Sequence, residues 1–76
     1  MIEKRVLYIS YDGLTDPLGQ SQVLPYLTHL SKLKYKITIL STEKEENLKK
    51  RRDIVSNICK NAGIRWIYVS YTKYPP

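Results

Sequence analysis

The chain has 76 residues, 42% of them apolar and 26% charged, which bounds it to one small domain and has the balance of a globular chain rather than a disordered one. Its net charge of +6 admits attraction to nucleic acid, anionic lipid or phosphorylated ligands without choosing among them. A single cysteine excludes an internal disulfide and a multi-cysteine zinc site and points to a reducing cytosol, and no apolar run approaches the roughly 20 residues of a membrane span.

The amino-terminal stretch MIEKRVLYIS carries only a four-residue apolar run, too short for a signal peptide. Residues 6–10 (VLYIS) form a β-prone apolar run and read as a buried strand ending at Asp12-Gly13. Residues 20–33 place Val23, Leu24, Leu27, Leu30 and Leu33 at helical spacing. With Ser21 as N-cap, Pro25 costs this helix one ladder bond, at the Ser21 carbonyl. The helix is expected to stop near Lys34, with Lys34 or Tyr35 left-handed at a cost of about 1 kcal/mol.

Residues 37–40 (ITIL) read as a second strand, and Thr42 followed by Glu45 has capping-box spacing for a second helix. Glu45 and Glu46 precede Lys49 and Lys50 by four residues, the favourable order for ion pairs and for the helix dipole. Leu48, Val55, Ile58, Cys59 and Ala62 form its apolar stripe, and Gly63 ends it. Residues 64–69 (IRWIYV) give a third strand. There is no internal repeat and no low-complexity segment.

This order implies an α/β fold, a three-stranded parallel β-α-β-α-β half of a doubly wound, Rossmann-like domain. With sheet order 3-2-1, both right-handed crossovers place their helices on one face. Yet Val6 and Tyr8 alternate with Leu7 and Ile9, Ile37 and Ile39 with Leu40, and Trp66 and Tyr68 with Ile67 and Val69. Both faces are therefore apolar, as in a sheet covered on two sides, with Arg65 the main exception. The expectation is a truncated domain, or one that dimerises through its bare face, with a free edge on the first strand.

Chemistry centres on the stretch YDGLTDPLGQSQVLPYL, which follows the first strand at the carboxyl end of the sheet, where ligands of such folds bind. Gly13 and Gly19, with five residues between them, do not make the G-x-G-x-x-G dinucleotide fingerprint. The P-loop pattern fails too, being one residue too long and having Gln20 where its lysine belongs. What remains is a long turn or a ligand loop. As a ligand loop, Gly19 admits close backbone approach, and free amides at residues 20–23 open a helix suited to an anionic or hydroxyl-rich ligand. Asp12 and Asp16 are candidate acceptors for sugar hydroxyls or simple turn-formers, and no third group joins them as metal ligands. His29 reads as a surface or half-buried residue and Cys59 as core. Residues 49–52 (KKRR) read as a solvated helix face, with nucleic acid or anionic lipid as the sharper alternative. Tyr11, Tyr71 and Tyr74 lie near strand ends, where stacking on a ligand is open to them.

The segment RVLYISYDGLTDPLGQSQVLPYLTHLSKLKYKITILSTEK, continued by NAGIRWIYVSY, resembles the amino-terminal segment of family 4 glycosyltransferases, retaining enzymes of GT-B fold. DGLTDPLGQSQVLPYL carries most of the likeness. Gln20, Ser21, Val23 and Leu24 match the family's helix start, while Pro17-Leu18-Gly19 replaces its glycine pair and Lys34 its usual glycine. The resemblance implies that residues 1–76 are part of an amino-terminal, acceptor-side domain facing a carboxyl-terminal domain across a cleft. The parent enzyme would transfer sugar from a nucleotide-sugar donor to a glycan or lipid-linked acceptor, with no other cofactor, in the cytoplasm or peripherally at the inner membrane face. The catalytic groups would lie in the other domain. Here Asp16, Gly19, Gln20 and Ser21 would form one wall of the substrate cleft, with no catalytic residue and no metal, and the 76 residues alone would be inactive. The rival reading is a small, basic, dimeric α/β module that binds nucleic acid through residues 49–52.

Overall fold

The computed structural model describes residues 4–71. Three parallel strands, β1 (Lys4–Ser10), β2 (Tyr35–Lys44) and β3 (Arg65–Tyr71), form one sheet in the order β1-β2-β3, with β2 central. Helix α1 (Leu24–Lys32) connects β1 to β2, and α2 (Glu45–Asn61) connects β2 to β3. The architecture is the expected half of a doubly wound, Rossmann-like sheet. The register pairs Val6 with Ile37 and Tyr8 with Ile39 on one side, and Ile39 with Trp66 and Ser41 with Tyr68 on the other.

Both helices cover one face. Leu24 and Leu27 of α1, Val55 and Cys59 of α2, and Ile37 and Ile39 of β2 pack with Leu14 and Ile64 into a single core. Leu48 is buried too, but Leu33 and Ile58 are exposed rather than part of their stripes. Leu33 is the C-cap of α1, where the chain has already left the helical spiral. On α2, the 100° step between neighbours turns Ile58 aside once Cys59 faces the sheet. On the opposite sheet face Leu7, Ile9, Ile67 and Val69 are 61%, 56%, 42% and 59% exposed, so an apolar surface lies uncovered.

Two connections behave as the sequence implies. Lys34 adopts φ 68 between α1 and β2, and Gly63 adopts φ 71 after α2. Two others differ. β2 continues four residues past Leu40, running directly into α2 at Glu45, so Thr42 lies in the strand and is no helix cap. Lys44 occupies the N-cap with extended backbone and no side-chain cap bond, while the Thr42 hydroxyl donates to the Tyr11 carbonyl at 2.8 Å. The first helical segment opens at Pro17, not after Ser21. It passes through a π-type turn (Gly19–Val23), in which the Leu24 N–H reaches back to the Gly19 carbonyl, before α1 proper. The turn lies immediately ahead of Pro25, whose ring would clash with the carbonyl four residues back in a regular α-helix.

Candidate functional site

The 11–20 connection leaves β1 at the carboxyl end of the sheet and folds back over the end of β2. A bond from the Asp16 N–H to the Gly13 carbonyl, 3.1 Å, closes its central turn. Leu14 is fully buried in the core beneath it. The loop is therefore packed over the strand ends, with Gly13, Leu14 and Thr15 buried at its centre.

The strongest tie is to Glu43, which sequence reasoning passed over. Its carboxylate is fully buried. The Leu14 N–H donates to Oε2 at 2.8 Å; the Thr15 N–H and hydroxyl both donate to Oε1, at 3.0 and 2.6 Å. The Ser41 hydroxyl also donates to Oε2 and accepts in turn from the Trp66 Nε1–H at 2.9 Å. Thr15 is held through all its polar groups, since its carbonyl accepts from Gln20 Nε2 at 3.1 Å and Arg51 Nη1 at 3.2 Å.

Asp16, Gly19, Gln20 and Ser21 lie together along the loop and the first helical turns, in different settings. Asp16 is half-buried, and its Oδ1 accepts from Asn47 Nδ2 at 2.6 Å, so its carboxylate reaches α2 rather than its own turn. Gly19 is buried; a methyl there would collide with the Gly13 carbonyl oxygen and lie 2.8 Å from Leu14 Cα. The close approach it permits is thus to the loop's own backbone. Gln20 is half-buried and spends its side-chain amide on Thr15. Its backbone N–H donates to the Asp16 carbonyl at 3.0 Å, so it is not the free amide the sequence implied, and the helix opening moves back toward Leu18. Ser21 is exposed, with its hydroxyl 3.5 Å from the Leu18 carbonyl.

Tyr11 and Asp12 are exposed beside this wall, and Leu18 and Gln22 continue the exposed rim. Tyr71 ends β3 partly exposed, and Tyr74 lies outside the described residues. His29 is exposed on α1. Cys59 is buried, and burial pushes its thiol up to about 11. Within residues 49–52, Arg51 binds the Thr15 carbonyl, and Arg52 lies beside Tyr68 and 3.6 Å from Asp53. Arg51 is thus engaged within the fold, while Lys49, Lys50 and Arg52 are exposed. Among the described residues no group of three or more His, Cys, Asp or Glu side chains could hold a metal ion. No helix among them is long and apolar enough to cross a membrane.

The arrangement is a polar rim above a rigid base. It offers hydroxyl, carboxylate and phenol groups to a ligand arriving over the strand ends. No protein-family model, curated protein or solved structure matches this chain.

Proposed function

We propose that this chain forms the acceptor-side, amino-terminal part of a retaining glycosyltransferase of GT-B fold, similar to family 4. The loop over the carboxyl ends of the strands carries the reading, because parallel sheets of this winding bind ligands there. Its Asp12, Asp16 and Ser21 suit the hydroxyls of a sugar or glycan. The likeness of DGLTDPLGQSQVLPYL to the family's corresponding loop supports the assignment, as does a sheet with one face left to be covered. Catalysis and most of the nucleotide-sugar contacts belong to a facing domain, whose positive charge would stabilise the departing diphosphate. The acceptor is a glycan or a lipid-linked sugar.

The test is release of nucleoside diphosphate by the full-length protein from a panel of UDP-, GDP-, ADP- and dTDP-sugars, with membrane extract as acceptor source. Release that depends on acceptor supports the reading. No release across the panel sinks it, and transfer by the 76 residues alone would overturn the placement of catalysis elsewhere.

A further inference from the structure

We propose that Glu43 is the positioning residue of the 11–20 loop, a carboxylate that sets the loop backbone and, through it, the places of Asp16 and Gln20. The functional meaning of this inference rests on reading the loop as a ligand wall; its geometry does not.

Burying a carboxylate away from water is expensive unless hydrogen bonds replace its hydration. Glu43 is fully buried, and four donors converge on it, two per oxygen, all of them neutral groups. Charge-assisted bonds of this kind are roughly twice as strong as neutral ones. Three of the four donors come from Leu14 and Thr15, 28 to 29 residues away in the chain. A carbon placed on Gly13 would lie 2.5 Å from Oε1, so the loop backbone lies directly against the carboxylate. From Thr15 the fixed geometry passes outward: its carbonyl holds Gln20 and Arg51, and the next residue, Asp16, is held by Asn47.

The donor pattern makes a carboxylate obligatory. Glutamine has the same shape but presents one oxygen and one NH2 group. Whichever way its amide is turned, NH2 hydrogens face at least one loop N–H. Ser41 could turn to accept from the amide, but a backbone N–H cannot. Aspartate, one methylene shorter, draws both oxygens back from the loop.

The experiment is hydrogen exchange followed by mass spectrometry on the full-length protein, comparing peptides from residues 11–18 with peptides from α2. Glu43→Gln is expected to speed exchange in 11–18 by about 10- to 100-fold with α2 unchanged. Thr15→Val, which removes one donor, is expected to give a local increase of about tenfold, and Thr15→Ser, which restores the hydroxyl, to return it to wild type. Leu14→Ala, a core truncation that leaves the carboxylate in place, is expected to raise exchange in α2 as well. If Glu43→Gln leaves 11–18 within about twofold of wild type, well short of the effect of one charged hydrogen bond, the proposal fails. If that variant opens everywhere, Thr15→Val decides: a local increase reversed by Thr15→Ser supports the role, and no increase overturns it. Sugar transfer is not the readout, so failure of the glycosyltransferase reading leaves this result intact, and the reverse holds too.

Discussion

Cys59 shows how one buried side chain couples stability to pH. Its thiol is pushed from 9.0 to about 11 because burial disfavours the thiolate. The folded state therefore holds the proton that the unfolded chain gives up. The resulting stability is fully present below pH 9 and is lost as pH rises from 9 toward 11. Cys59→Ala removes this dependence. Unfolding free energies from urea titrations across that window should fall further for wild type than for the alanine variant, by on the order of 2–3 kcal/mol at most. Parallel curves would show that the thiol does not titrate differently in the two states. At neutral pH the same burial makes Cys59 slow to react with thiol reagents until the chain opens.

Connections between elements decide what the sequence could show. The turn from α1 into β2 was legible, because apolar spacing stops before Lys34 and a β-run begins after it. Its left-handed residue, φ 68, is the strained point of that connection. Lys34→Gly should stabilise the fold by about 1 kcal/mol, read as a higher thermal midpoint with unchanged circular dichroism. No gain would mean that Lys34 makes compensating contacts. The end of β2 was not legible. Ser41, Thr42, Glu43 and Lys44 resemble the polar start of a helix, and Thr42 with Glu45 has the spacing of a cap. They continue the strand because Ser41 and Glu43 point inward to donors from Leu14, Thr15 and Trp66, none of them a local neighbour. The π-type turn was hidden for a related reason. Pro25 announced a disturbed ladder, but the retreat of the helix start to Pro17 depends on the Gly13–Gly19 approach. For Asp16, Gly19, Gln20 and Ser21, the sequence did not show which of their groups are already spent within the fold.

At the scale of the molecule, one sheet face is a core and the other is a surface made of core residues. Leu7, Ile9, Ile67 and Val69 would be covered by helices in a complete doubly wound domain. Presented alone by the 76-residue chain, they are expected to bind a hydrophobic dye and drive self-association. Replacing Ile9 and Val69 together by threonine, which keeps β-branching, should lower dye binding and shift sedimentation toward monomer without loss of helix signal. An unchanged sedimentation profile would show that this face does not mediate association. The opposite face, where the loop and α2 meet, should be indifferent to these changes.

The chain contains one tryptophan. Its indole N–H donates to Ser41, whose hydroxyl donates to the carboxylate beneath the loop, and its ring lies 4.7 Å from that of Tyr68. Trp66 is thus a native optical gauge, three hydrogen bonds from the loop backbone. Any ligand that shifts the loop should register in its emission colour with no dye attached, so that a titration in a cuvette reports on the loop directly.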